Sequence, residues 1–425
     1  IEVHPLGPVP IKGLEAPVEV YELRGAGPRR SRLHAAAVRG LTRFVGREAE
    51  VADLREIAAG LAAGAGHIVL VSGDAGLGKS RLMAEWRDEL QRDGRIRHLE
   101  GRCFAHTASL AFGPFLDLFR RLAGISDEDD EAQARARLET AVGNLFPDDL
   151  EARALFASLL ALPPTPEERA VLAAAQAEAF RRRLFHLLSE TFERLARRQP
   201  IVLVLEDMHW ADPSSSELVD ALLPLASQFA FVLVCVARPR PDEFATRLLR
   251  TVAQGFPALF THLSLSPLPE SASAQMVSQL LATPEVAPAL REIILRRAEG
   301  NPFFVEEVIR TLIDRGALLL TEQGWHTTAL IESVSVPNTL QGLLMARLDR
   351  LPADTRWTVQ QAAVIGRIFL YRVLAEMADH PGGLDDHVEH LQQAEMIRER
   401  ARLPEIEYIF QHGLTQEVAY QSLLV

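Results

Sequence analysis

The chain has 425 residues, 48% apolar and 24% charged, with a formal net charge of −12. This is the composition of an ordinary soluble globular protein long enough for two or three domains, each with its own core. The arginines are dispersed among more numerous carboxylates, which disfavours a nucleic-acid surface, and the longest apolar runs, such as Phe229–Ala237 (FAFVLVCVA), are too short to span a bilayer. Cys103 and Cys235, far apart and each beside a predicted strand, read as buried free thiols in a reducing compartment, so the expected location is cytoplasmic. Because the sequence opens mid-pattern at Ile1 and stops within an apolar helical stretch, it reads as an excerpt of a longer protein.

Residues 1–24 read as short strands, Val9–Leu14 and then Pro17–Leu23 with period-two alternation. The pattern K-G-L-x-x-P-V-x-V-Y-E-L resembles the last strands of class III adenylate/guanylate cyclase domains in bacterial multidomain proteins. It covers none of a cyclase's catalytic positions, so the resemblance implies an upstream cyclase-like neighbour, of which these residues are the C-terminal tail. Residues 25–42 carry Gly, Pro and Arg without a period, as an interdomain linker does. From Arg43-Phe44-Val45-Gly46-Arg47-Glu48 an amphipathic helix runs to about Ala63; Gly46 suits a tight turn, and Glu48 and Glu50 suit the first turn of a helix dipole.

The apolar run His67–Ser72 precedes Gly73-Asp74-Ala75-Gly76-Leu77-Gly78-Lys79-Ser80-Arg81 and then a helical pattern. This fits G-x-x-x-x-G-K-[ST] in the strand–loop–helix context that a phosphate-binding loop needs. Glycines let successive backbone N–H groups point at one anion, and the helix N-terminus adds its partial positive charge. Lys79 is expected to reach the β- and γ-phosphates, and the Ser80 hydroxyl to coordinate Mg²⁺. Lysine occurs only at Lys12 and Lys79, so 43 of the 45 basic residues are Arg. A lysine inside the glycine loop therefore stands out as a compact ammonium that a guanidinium fork does not replace.

Arg95–Cys103 reads as a second strand, and residues 104–198 are mostly helical, with Ser126–Glu131 (SDEDDE) as a solvated loop and a last helix over about Pro166–Arg197. His186 on that helix has no partner at metal-ligand spacing. Ile201–Leu205 is a run of five apolar residues, the mark of a strand buried on both faces, and Glu206-Asp207 follow at its C-terminal end. Open α/β sheets bind ligands at that end, and two adjacent carboxylates there are costly unless they hold a cation or orient water. One would bind Mg²⁺ through its water shell and the other polarise the attacking water; the order Glu206-Asp207 leaves open which, and strand register assigns Glu206 to Mg²⁺ and Asp207 to the water. Phe231–Ala237 is a further doubly buried strand ending at Arg238-Pro239, and His262–Leu265 supplies a fifth.

Residues 270–335 read as helical. Within them Gly300 ends one helix and Pro302 starts the next in Gly300-Asn301-Pro302-Phe303-Phe304-Val305-Glu306-Glu307. From Val336 a final module follows, with helices through about Met377, a segment near His387–Arg400, and Tyr408–Leu414 opening Thr415–Val425.

Three segments in this order, V-G-R-E-A-E, L-E-D-M-H-W-A-D (Leu205–Asp212) and G-N-P-F-F-V-E-E, together with the loop, resemble the bacterial STAND branch of AAA-type P-loop ATPases, the origin-recognition-like and MalT-like modules. The resemblance spans about residues 43–425. It implies that Val45 and Arg47 lie at the adenine with Gly46, that Pro302 packs on the adenine, that Arg238 senses the γ-phosphate, and that His412 touches the β-phosphate of ADP in a closed state. Arg238 read without the family is a strand cap before a proline turn, and His412 a core or cap histidine. The family often carries two aspartates where this chain has Glu206-Asp207.

The expected architecture is an α/β P-loop parallel sheet with helices on both faces at 43–268, including a helical insertion at about 104–198. A helical lid at 269–335 and a winged-helix-like module at 336–425, truncated at its end, follow. The expected function is an ATP-binding, slowly hydrolysing, Mg-dependent switch in a multidomain signalling protein, controlling an upstream nucleotide cyclase. The alternatives are the ATPase module of a MalT/LuxR-type transcription regulator and an oligomeric AAA-type remodelling ATPase. Expected partners are ATP, ADP and Mg²⁺, with protein partners engaged through regions outside this chain and self-association allowed.

Overall fold

The computed structural model describes residues 2–9, 18–25, 44–103, 111–126, 129–173, 177–239, 244–281, 288–321, 324–328, 340–377, 383–394, 396–401, 405–411 and 413–423. The chain divides into two compact units, Ile1–Thr42 and Arg43–Val425. In the first, β1 (Glu2–Val9) pairs antiparallel with β2 (Val18–Gly25). The first strand therefore lies upstream of the expected Val9–Leu14, whose residues past Val9 lie outside the described residues. Prolines at Pro5 and Pro8 obscure its alternation; pairing is kept by register shifts at Glu2/Val3 and Pro5/Gly7. The expected linker at 25–42 lies outside the described residues apart from Gly25.

The second unit is built on β3 (His67–Ser72), β4 (Arg97–Arg102), β5 (Ile201–Glu206), β6 (Phe231–Ala237) and β7 (Phe260–Ser264), all parallel, in the spatial order β4-β5-β6-β3-β7. Successive residues sort onto two faces. Ile201, Leu203, Leu205, Phe231, Leu233 and Cys235 face one core with Ile68 and Leu70. Val202, Val204, Val232, Val234 and Val236 face the other with Val69 and Val71. Helices Glu48–Ala62 and Lys79–Asp93 cover the valine face through Leu54, Leu61, Leu82 and Trp86. The insertion, Gly113–Leu122, Glu131–Leu145, Leu150–Leu159, Pro166–Ala173 and Ala177–Arg198, covers the other, centred on Phe115, Phe192 and Phe231. Each fully buried aliphatic or aromatic side chain contributes about 1.5–3 kcal/mol, so a sheet covered on both faces is the stable solution for these runs. The helix expected over about Pro166–Arg197 is described over Pro166–Ala173 and Ala177–Arg198, residues 174–176 lying outside the described residues.

The connection leaving β3 runs to β4 at one edge, whereas that leaving β6, its neighbour, runs the other way to β7 at the opposite edge. The C-terminal ends of β3 and β6 thus flank a switch point, where a doubly wound sheet opens a crevice.

The lid helices Glu270–Leu280, Pro288–Ala298 and Pro302–Asp314 enclose their own core around Val277, Ile294, Val308 and Leu312. Contrary to the all-helical expectation, a hairpin follows, β8 (Leu318–Thr321) with β9 (Gly324–Thr327). The run Ala317–Leu320 is too short to carry a period, and the Trp325 indole N–H donates to Leu281 O at 2.6 Å, holding the hairpin on the first lid helix. The C-terminal module packs helices Leu340–Leu348, Ala353–Ile365, Tyr371–Met377, Leu384–Gln393 and Gly413–Gln421 on an antiparallel sheet of order β10-β12-β11. Those strands are β10 (Ile368–Leu370), β11 (Ile397–Ala401) and β12 (Glu407–Phe410), so the segment expected near His387–Arg400 is a helix followed by a strand.

Lid and module are joined by a buried ion pair. Glu307, fully buried, accepts from Arg347 Nη1 at 2.6 Å and from Arg310 Nη1 at 2.7 Å, and Arg347 itself is 8% exposed. Removing one partner of such a pair leaves an uncompensated buried charge. Arg347→Ala should lower stability by about 3–5 kcal/mol in chemical denaturation, and the double variant Glu307→Leu/Arg347→Met should recover most of it.

Candidate nucleotide site

The phosphate loop leaves β3 at Gly73 and enters the helix at Lys79. Gly76 and Gly78 hold φ of 84° and 89°, left-handed conformations that turn the loop's backbone around a concavity. Gly76 is constrained twice: a Cβ there would lie 2.6 Å from Asn301 Oδ1, whereas Gly78 has open space around the same position. Lys79 is buried and its ammonium donates back to Gly73 O at 2.7 Å and Asp74 O at 2.9 Å. Burial, reinforced by the nearby Arg238 charge and opposed by Asp207 and Asp74, draws its pKa down to about 8. Arg81 turns aside to Glu85 one turn along the helix.

Glu206, the last residue of β5, is buried and accepts from the Ser80 hydroxyl at 3.1 Å. Phosphate loop and acidic strand end are thereby brought together across 126 residues of sequence. Asp207 follows at φ 58°, a left-handed position that aspartate tolerates better than most residues. Burial pushes its carboxyl up, but Arg102, Arg367, His209 and Arg238 outweigh this and hold it below the usual carboxylate range. Among the described residues no three His, Cys, Asp or Glu side chains converge as a metal cage. A hydroxyl and two carboxylates are the sparse oxygen set that suits Mg²⁺, which keeps several of its waters.

The other expected residues are placed as follows. Val45 packs against the lid core. Gly46 N–H bonds Glu48 Oε1 at 3.1 Å. Arg47 is buried, with its guanidinium on Leu77 O at 3.3 Å, on Ser266 O at 2.5 Å and on Glu50 at 3.1 Å. It clamps the back of the phosphate loop to the segment after β7. Pro302 occupies the first turn of the lid helix, beside the loop. Arg238, just beyond β6, is engaged by Glu417 of the C-terminal module through two bonds of 3.2 and 2.9 Å. His412 lies outside the described residues.

Four participants escaped sequence reasoning. Arg102, at the end of β4, is the register partner of Glu206 and pairs with its Oε2. Arg367, immediately before β10, reaches Asp207 Oδ2 at 3.5 Å. Glu417 holds Arg238. Asn301 caps the lid helix by accepting from Phe303 N and Phe304 N, while its amide donates to Ala75 O at 3.0 Å. Only Asn301 had a local signal, as an N-cap residue before a helix-starting proline. Asp212, the last residue of the acidic motif, is structural: it caps the helix Pro213–Leu222 through Ser215 N and accepts from Phe112 N and Gly113 N.

A phosphate loop after the first core strand, a carboxylate pair at the end of β5 and a crevice between them define the architecture. The core is an α/β P-loop fold. Its sequence agrees: residues 43–236 match the AAA ATPase domain family, and residues 269–324 match a domain of unknown function, DUF8739. An uncharacterized protein of Rhizobium meliloti (strain 1021) is 26% identical over 97% of this chain, and the chain spans 38% of that protein's length. Among solved structures, a STAND protein with a tetratricopeptide repeat sensor from Pyrococcus horikoshii is 13% identical, with a TM-score of 0.47 over 89% of this chain and 42% of its own. The Aeropyrum pernix ORC2 protein is 12% identical, with a TM-score of 0.39 over 91% of this chain and 97% of its own. No helix among the described residues is long and apolar enough to cross a membrane.

The two loop glycines allow a direct comparison. Gly76→Ala should destabilise the loop–lid contact and raise amide exchange in the helix Pro302–Asp314. Gly78→Ala meets only backbone strain, about 1–3 kcal/mol, and should leave lid exchange near the wild-type rate. Equal effects of the two substitutions would contradict the Asn301 contact.

Proposed function

We propose that the chain is an Mg-ATP-binding, slowly hydrolysing switch module of a larger signalling protein. The observation that carries this is the bridging of the site by the C-terminal module. Arg367 and Glu417 of that module hold Asp207 and Arg238 of the crevice, so a ligand drawn to these groups must act on the module's position. The residues fit the nucleotide: the left-handed glycine loop suits a phosphate, and Lys79 exchanges its backbone carbonyl partners for phosphate oxygens. Ser80 and Glu206 would hold Mg²⁺, and Asp207 would orient the attacking water. Mg²⁺ bound there would supply neutralisation of the phosphate charge. Val45, Arg47 and Pro302 line the adenine side, and Arg238 reports the γ-phosphate. The extension of the reading is control of an upstream cyclase-like domain, supported by the K-G-L-x-x-P-V-x-V-Y-E-L pattern.

The test is titration with Mg-ATP and Mg-ADP, with hydrolysis followed on the same sample. Lys79→Ala should abolish binding of both nucleotides while leaving the thermal transition in place; wild-type affinity in that variant ends the proposal. Turnover should stay below roughly 1 s⁻¹. Faster turnover would favour a remodelling ATPase over a switch.

A further inference from the structure

The crevice holds more cationic groups than the phosphate loop accounts for. Arg102 from β4 and Arg367 from the C-terminal module approach one another over Asp207: Arg367 Nη1 lies 3.5 Å from Oδ2, and Arg102 Nε lies 3.9 Å from the same oxygen. Both Nε–H groups are buried donors without an acceptor among the described residues. The Arg367 side chain is only 11% exposed, and Phe410 N–H bonds its carbonyl at 2.9 Å, fixing its backbone against β12. A guanidinium rarely enters so enclosed a place without a fuller set of acceptors.

The carboxylates these arginines now hold are the ones that the proposed function assigns to metal and water. When Glu206 and Asp207 turn to that task, the enclosed Arg367 loses its carboxylate partner, and Arg102, 24% exposed, is left with Glu100 Oε1 at 3.8 Å; a buried cation so released demands a replacement anion. A terminal phosphate presents three oxygens with the geometry a guanidinium fork matches. We propose that Arg102 and Arg367 form a cis arginine pair that takes the terminal phosphate of a bound nucleoside triphosphate, one arginine from the core and one from the C-terminal module. A diphosphate lacks that group, so with it Arg367 keeps Asp207. The pair thus distinguishes tri- from diphosphate and passes the difference to the module. The inference rests on the nucleotide reading above and adds the residues that would make the site state-selective.

The experiment is calorimetric titration of the full chain with Mg-ADP and with a non-hydrolysable Mg-ATP analogue. It compares wild type, Arg102→Ala, Arg367→Ala and Arg367→Gln. Glutamine keeps a donor toward Asp207 and serves where alanine impairs folding. Each variant should lose about 10- to 100-fold in triphosphate affinity while diphosphate affinity changes less than about threefold. Tryptic cleavage within residues 340–423 should respond to the triphosphate analogue in the wild type and not in Arg367→Gln. Variants that lose both nucleotides equally, or that keep the wild-type ratio, overturn the pair while leaving the nucleotide site intact. A wild-type chain that binds neither nucleotide overturns both readings.

Discussion

Two adjacent carboxylates at the end of a fully buried strand are the constraint on which the rest of the site depends. β5, buried between the two hydrophobic cores, ends in the buried Glu206 with Asp207 next to it, and an uncompensated charge there is costly. Compensation arrives from every body around the crevice. Ser80 comes from the loop helix, Arg102 from the neighbouring strand, and Arg367 from the C-terminal module. The charges are thus as much the assembly instructions of this region as its chemistry: parts distant in sequence are held at one point because that point needs cations.

A second convergence lies at Asn301–Phe304. Asn301 bonds the phosphate loop at Ala75, Phe304 enters the lid core, and Phe303 enters the core of the C-terminal module. Phe303 N–H also approaches Gly76 O at 3.4 Å. Three residues within four positions therefore touch three bodies, and the N-cap that starts the helix is also the contact with the loop. A shift of the loop backbone by a bound phosphate would be felt at the first turn of this helix without any intermediary.

The strands and the phosphate loop were legible because their signals are local. Runs such as Ile201–Leu205 and Phe231–Ala237 admit little but a doubly covered strand, and the glycine–lysine spacing admits little but a phosphate cradle. What was hidden depends on long-range partners. Arg367 meets Asp207 across 160 residues, and Arg238 meets Glu417 across 179. In a chain where 43 of 45 basic residues are Arg, no individual arginine stands out from its surroundings. Lys79 was conspicuous for the same compositional reason that Arg102 was not. The hairpin β8–β9 was missed because Ala317–Leu320 is too short to show a period, and β1 because Pro5 and Pro8 break its alternation.

The contacts that hold the C-terminal module differ in kind, and the difference indicates how it can move. Glu307 and Arg347, which tie it to the lid, are 0% and 8% exposed at the side chain, and no nucleotide group is assigned to either. Arg238 and Glu417 are 17% and 16% exposed, and Arg367 and Asp207 are 11% and 25% exposed, all at the crevice. The dry pair has nothing to exchange with and is costly to break; the crevice pairs contain groups whose alternative partners are a metal, a water or a phosphate. The helices 270–314 and the C-terminal module are therefore joined to one another through the buried Glu307–Arg347 pair, and the module meets the core through the part-exposed pairs at Asp207 and Arg238. The Asn301 side chain bonds the phosphate loop at Ala75 O, and Arg367 reaches Asp207.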